Sequence, residues 1–189
     1  NYVLVTTAST PMSSGYRPEL DMSPTLDDLQ ANWFQNLIGV LRWAVELGRI
    51  DIQVEVSMLA SYLAHPCEGH LDQCLHIYAY LKKHKKSTMV FDDSLPIIDE
   101  QRFHLANWME FYRNAKEAIP PNAPEPQGKA VDIYAFVDAD HAGDKITRRS
   151  QTGLLVFLNR APIIWYAKKQ NTVETSTFGS EFIAMRIAT

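Results

Sequence analysis

The chain has 189 residues, a formal net charge of −4 at pH 7 and a hydrophobic fraction of 46%. This length holds one domain or two small ones, and the apolar fraction excludes a wholly disordered chain. An acidic balance excludes a protein that coats nucleic acid with a uniformly basic surface, while leaving room for a local basic patch.

Residues 1–28 are rich in Ser, Thr and Pro and read as a loop or tail, with a short strand at Tyr2–Thr6. No charged start followed by an apolar stretch marks a signal peptide, and no run reaches the roughly 18 apolar residues of a membrane helix. The expectation is a cytoplasmic protein with no membrane partner. The chain opens without Met and stops inside a helical pattern, so both ends read as cut ends.

Three helices fill most of residues 29–91. Pro24, Asp27 and Asp28 open the first, Leu29–Leu47, with Phe34, Leu37, Ile38, Leu41, Ala44 and Val45 on one face and Gly48 beyond its end. Asp51–Ala64 is the second, with Ile52, Val56, Leu59, Ala60 and Leu63 inward and Pro66 stopping it. Glu68–His84 is the third, with Leu71, Cys74, Leu75, Tyr78 and Leu81 inward. Cys67, His70 and Cys74 share part of a helix face and are zinc-ligand types. Cys74 falls in the apolar stripe, however, and no paired ligand knuckle is present, so a reduced core thiol is expected. The two cysteines are a poor disulfide framework.

Lys82, Lys83, Lys85 and Lys86 complement the dipole at the end of the third helix, or alternatively contact phosphates. Ser87–Phe91 reads as a short strand. Val90-Phe91-Asp92-Asp93 superficially resembles a polymerase palm signature, but Val stands where Tyr belongs, so a strand capped by a turn is the better reading. Residues 92–128 form a spacer with a helical segment at Phe103–Ala115. The Pro-rich stretch Pro120–Gly128 is the best domain boundary.

Residues 129–189 form the second domain. Val131–Val137 favours a strand, and alternation puts Asp132, Tyr134, Phe136, Asp138 and Asp140 on one face. Thr152–Leu158 and Ile163–Ala167 complete an antiparallel meander around a turn at Asn159–Pro162. Thr177 is the expected N-cap of a final helix that turns Phe178, Phe182 and Met185 inward, onto the Phe136 face of the sheet. Glu181 then sits at the rim of the packed layer, within reach of Asp138. On pattern alone, an acid-rich strand end explains Asp138 as well as a site does, and an exposed Glu in a first helical turn explains Glu181 better.

The run from Asp138 through Ala184 resembles the ribonuclease H domain of Ty1/copia-type retrotransposon polyproteins. The resemblance is carried by Asp138, Asp140, Ala142, Gly143, Asp144, Arg148, Ser150, Gly153, Ile164, Trp165, Lys168, Lys169, Gln170, Thr172, Val173, Ser176, Glu181, Ile183 and Ala184. It extends in weaker form upstream to about Phe34. It departs at His141, where the family has Trp, and at Phe178-Gly179-Ser180, which replaces an acidic stretch.

The resemblance implies an α+β fold: the helical thumb and connection of reverse transcriptase, then a partial RNase H-like domain. It implies a fragment of a Pol polyprotein, with the rest of that polyprotein as partner and a virus-like particle as setting. The parent activity would be Mg²⁺- or Mn²⁺-dependent hydrolysis of RNA in an RNA–DNA hybrid. Asp138 and Glu181 match the first two metal-binding carboxylates, and two later Asp residues of the family have no counterpart here. Two Mg²⁺ ions about 4 Å apart would stabilise the attacking and leaving oxygens, and hard carboxylate oxygens suit them. Arg148, Arg149, Lys168 and Lys169 are candidate phosphate contacts or ordinary charged turns. The alternative reading is a non-catalytic nucleic-acid-binding or structural remnant of such an element.

Overall fold

The computed structural model describes residues 7–97, 107, 109–114, 118 and 120–189. The Tyr2–Thr6 strand and part of the Phe103–Ala115 helix lie outside those residues. The described part of the latter is one helical turn, α4 (Met109–Tyr112).

Helix α1 (Asp28–Glu46) starts where the sequence predicts. Asp27 accepts from the Gln30 backbone N–H while Gln30 accepts from the Asp27 N–H, a capping box that satisfies two orphan donors. A 3₁₀ turn (Ile50–Ile52) leads into α2 (Gln53–Ala60). This helix is shorter than predicted. The Ser61 hydroxyl donates back to Ser57 O, and the chain turns so that Tyr62 stacks on His70. Helix α3 (Glu68–Lys83) completes the helical layer. Phe34, Ile38, Leu41 and Val45 of α1 meet Ile52, Val56 and Leu59, and Leu71, Cys74 and Ile77 of α3, all buried in one core. Burying each large apolar side chain contributes about 1.5–3 kcal/mol.

The segment before α1 is packed rather than trailing. Thr25 bridges Cys67, and Pro18 and Leu26 are buried. Asp21 accepts from Tyr16 Oη and from the Ser23 N–H and hydroxyl, and it lies where a Cβ on Gly69 would have to go. Glycine at 69 therefore lets this loop close on the start of α3.

Strands β1 (Ile133–Asp140), β2 (Gln151–Leu158) and β3 (Ala161–Lys169) form an antiparallel sheet in the order β1-β2-β3. Asp138 pairs with Gly153 and Ala139 with Thr152. Residues 87–91 have no regular structure, contrary to the expected strand, because the sheet offers them no partner. Asp92 and Asp93 instead hold the β2–β3 turn. Asp92 pairs with Arg160 at 3.2 Å, and Asp93 O accepts from Asn159 Nδ2 at 2.8 Å. That is a structural role for the palm look-alike.

Helix α5 (Thr177–Ala188) is capped by Ser176, one residue earlier than predicted. It corrects two expectations. Phe178, Phe182 and Met185 are each more than half exposed, whereas Ser180 and Ala184 are buried. The helix also lies on the Ala139–Thr152 face of the sheet. Gln170 Nε2 donates to Thr152 Oγ1 at 3.0 Å and to Ser180 O at 2.9 Å, tying α5 to buried Thr152, which is opposite Ala139. Phe136 alternates with that face and stays exposed. Small residues set the contact because they let the helix axis approach the strands closely.

The helical layer and the sheet are in contact, despite the Pro-rich stretch between them in sequence. Trp165 of β3 packs on the helical core and donates from Nε1 to Val45 O at 2.9 Å. Ser57 donates to Ala167 O at 2.7 Å and accepts from Gln151 Nε2 at 3.2 Å. The architecture is thus α+β: a helical layer against a three-stranded antiparallel meander with one covering helix.

Candidate functional site

The loop joining β1 to β2 is built by its own acids. Asp140 accepts from the Gln151 N–H, and a Cβ on Gly143 would collide with the Asp140 carboxylate. The Ser150 hydroxyl, itself buried, accepts from the Ala142 N–H at 3.0 Å, holding Ala142 at a left-handed φ of 52°. Asp144 is the hub. It accepts from the N–H groups of Ile146 (3.1 Å) and Thr147 (2.7 Å) and from Lys169 Nζ at 2.6 Å. Burial alone would raise its carboxyl. The hydrogen bonds from Lys169 and Thr147 outweigh that and hold it below the usual carboxylate range.

The N-terminal segment clamps this loop. Arg17 donates to Gly143 O at 3.2 Å, and Glu19 accepts from the Lys145 N–H at 3.3 Å. Neither contact was legible in the sequence, since the partners stand 126 positions apart. The Asp-x-x-Thr spacing from Asp144 did carry the local signal of an Asx turn.

Asp138, near the end of β1, is exposed, and its carboxylate has no hydrogen bond or ion pair among the described residues. Alternation places it on the side of β1 opposite Ala139. Glu181, in the first turns of α5, is half-buried beside Ser180. Because α5 packs on β1, the strand carrying Asp138 and the helix carrying Glu181 are direct neighbours. His141 lies at the same junction, its Nδ1 3.4 Å from Ser180 Oγ.

Among the described residues no group of three or more His, Cys, Asp or Glu side chains could hold a metal ion. The donor set among the described residues therefore falls short of a complete Mg²⁺ or Mn²⁺ site, which needs about six oxygens with several from protein. The zinc candidates fall apart individually. His70 Nδ1 accepts from the Cys67 N–H at 3.0 Å and its Nε2 lies 3.0 Å from Pro18 O, so both ring nitrogens are occupied. Cys74 is buried in the core.

The four basic candidates divide. Lys169 is committed to Asp144 and lies 5.3 Å from the centre of the Tyr62 ring. Arg148, Arg149 and Lys168 are exposed and carry no ion pair among the described residues. Arg149 and Lys168 line a cavity of about 800 Å³ between the helical layer and β3, with Arg42 and Trp165. Glu19, Glu46 and Asp144 also line it, so its charge is mixed. Arg42 and Tyr62 were not singled out from sequence, because only the packing of β3 on α2 brings them to one cavity with Trp165.

No helix among the described residues is long and apolar enough to cross a membrane. No protein-family profile and no solved structure matches the chain. Among curated proteins, the chain is 25% identical over 156 residues to secreted RxLR effector protein 161 of Plasmopara viticola, covering 82% of this chain and 86% of that protein. It is 25% identical over 180 residues to the retrovirus-related Pol polyprotein from transposon TNT 1-94 of Nicotiana tabacum, covering 93% of this chain and 11% of the polyprotein. A third relative, the retrovirus-related Pol polyprotein from transposon RE1 of Arabidopsis thaliana, is 25% identical over 184 residues, covering 96% of this chain and 10% of the polyprotein. The chain thus spans about a tenth of the length of those Pol polyproteins. At this coarse level it is a retrotransposon-related segment.

Proposed function

We propose that the chain is a segment of a retrotransposon Pol polyprotein, comprising a helical thumb and connection region and the opening half of a ribonuclease H-like domain. One observation supports this above the others. The meander-then-helix packing makes the strand of Asp138 and the helix of Glu181 neighbours, with Asp138 at the strand's end and alternating with the face that α5 covers. The similarity to Pol polyproteins along nearly the whole chain agrees with it.

In this reading the substrate is an RNA–DNA hybrid. Asp138 and Glu181 contribute two carboxylates to a divalent-cation site, and the remaining carboxylates come from elsewhere in the polyprotein. Arg148, Arg149 and Lys168 steer the phosphate backbone through unpaired positive charge, while Lys169 stabilises the loop through Asp144. With two carboxylates alone, the 189-residue chain has no ribonuclease H activity of its own.

The test is cleavage of a labelled RNA–DNA hybrid in Mg²⁺ by this chain and by a chain extended through the following polyprotein sequence. The extended protein should cleave, and Asp138→Asn or Glu181→Gln should each abolish cleavage. An extended protein that folds but does not cleave, or cleavage that survives both substitutions, overturns the reading.

A further inference from the structure

Asp138, Gly153 and Ala167 stand side by side across the three strands. Alternation turns all three toward one face of the sheet, the face away from α5. On one side of this row lie Phe136, Leu155 and Trp165, and on the other Asp140, Gln151 and Lys169. Bulky and long side chains therefore flank a row that carries, after Asp138, only a hydrogen and a methyl group. The result is a notch that crosses the sheet. Its flanking rows stand about 13 Å apart, four residues at about 3.3 Å each. One end is open, because β1 is an edge strand among the described residues. The other end is closed by α2, which packs on β3. There Ser57 Oγ donates to Ala167 O at 2.7 Å and accepts from Gln151 Nε2 at 3.2 Å.

Nothing inside the chain accounts for a glycine at 153. It lies in the central strand, where glycine weakens pairing relative to alanine. Its φ is not positive, so the backbone does not require it. Packing does not require it either, since a Cβ built there meets nothing within 4 Å. Gly69 and Gly143 differ, because each makes room for an aspartate of the same chain. A strand glycine without such a reason marks a place where something from outside approaches the backbone.

The neighbours of Gly153 indicate what approaches. Asp138 is its cross-strand partner, so a group resting on Gly153 lies about 5 Å from the Asp138 Cβ. The Asp138 carboxylate is exposed and unpaired among the described residues, so that group must bring it a cation or a hydrogen-bond donor. The notch is one row wide and takes a single chain, not a duplex. A ribose-phosphate chain meets these terms. Its phosphate carries a divalent cation and its 2′-hydroxyl is a donor.

We propose that the notch seats one ribose-phosphate unit of the RNA strand, and that Gly153 is a positioning residue whose missing side chain gives that unit room beside Asp138. This rests on the ribonuclease H reading and says where its substrate lies.

Binding of a fluorescein-labelled RNA–DNA hybrid to the 189-residue chain in Mg²⁺, read by anisotropy, tests it. Gly153→Ala should weaken binding about tenfold and Gly153→Val about a hundredfold, as expected when a methyl or isopropyl group fills occupied space. Both variants should match or exceed the unaltered chain in urea midpoint, because Ala and Val suit a strand better than Gly. That combination separates positioning from a structural role. In the chain extended through the following polyprotein sequence, both variants should raise KM for hybrid cleavage. The inference is overturned if the unaltered chain binds no hybrid up to about 100 µM, a weak limit for phosphate contacts. Equal affinity across the three proteins also overturns it. So does a lower urea midpoint of Gly153→Ala in the extended protein, which would mean that a polyprotein segment fills the notch. An extended protein that binds hybrid through Gly153 but does not cleave it overturns the ribonuclease H reading and leaves the notch as a nucleic-acid seat.

Discussion

Trp165 Nε1 donates to Val45 O at 2.9 Å, joining the third strand to the last turn of the first helix across 120 positions of sequence. The indole body packs against the helical core at the same point. Val45 O also accepts from the Gly48 N–H at 2.9 Å, so the carbonyl keeps a partner when the indole is lost. Trp165→Phe should therefore cost only about 1 kcal/mol. Trp165→Ala also removes the packing and should cost about 3 kcal/mol, the low end for buried aromatics because the ring is half-buried. Urea denaturation of both variants measures this. Equal losses would show that the hydrogen bond, not the packing, joins the layers.

Asp144 sets an acid limit on stability. Its folded carboxyl is depressed and its unfolded value is about 3.9. The stabilisation is then fully present above that unfolded value and is lost as pH falls through the lower folded one. Asp21, depressed by Ser23 and Tyr16 against the opposing effect of burial, acts in the same direction. Asp144→Asn should destabilise the chain by about 1–3 kcal/mol near neutral pH, since it leaves Lys169 without its carboxylate. It should also flatten the loss of stability below about pH 4. Thermal unfolding across pH 2–7 checks both, and an acid limb unchanged by the substitution would count against Asp144 as its source.

The cysteines should differ in reactivity. Burial pushes the Cys74 thiol up to about 12, while Cys67 is only partly buried. Iodoacetamide at pH 8 should label the native chain once, at Cys67, and twice in denaturant. Metal analysis of the purified chain should find no stoichiometric zinc. Zinc that disappears in Cys74→Ser would reverse the assignment of that thiol to the core.

Magnesium should hardly stabilise this chain. With two candidate carboxylates, a Kd near or above 10 mM is expected, and 10 mM Mg²⁺ then contributes no more than about 0.4 kcal/mol. That corresponds to roughly 1–2 °C in Tm for a chain of this size. A rise of about 5 °C or more, lost in Asp138→Asn, would mean that the site has ligands beyond Asp138 and Glu181.

Local pattern settled the elements. The spacing of Phe34, Ile38, Leu41 and Val45, and the acids at Asp27 and Asp28, wrote α1 almost to the residue. Alternating aromatic and β-branched residues wrote the three strands and their order as a meander. The same run carried Asp138 and Glu181, because a motif is a property of neighbours in sequence. Pattern failed where a choice depended on what lay opposite. Phe178, Phe182 and Met185 make the more apolar stripe of α5, yet Ser180 and Ala184 face the sheet. Close packing on Ala139 and Thr152, with Gln170 bridging, rewards small side chains over large ones.

Residues 87–91 have strand composition but no strand, since pairing needs a partner that composition cannot supply. Lys169 looked like its neighbour Lys168 until the fold set Asp144 against it. Sequence by itself thus determined the helices and the meander, both fixed by periods of a few residues. Only the tertiary structure decided which face of α5 is buried, which lysine is free and how the two layers join, because those outcomes are set by contacts between residues far apart in the chain.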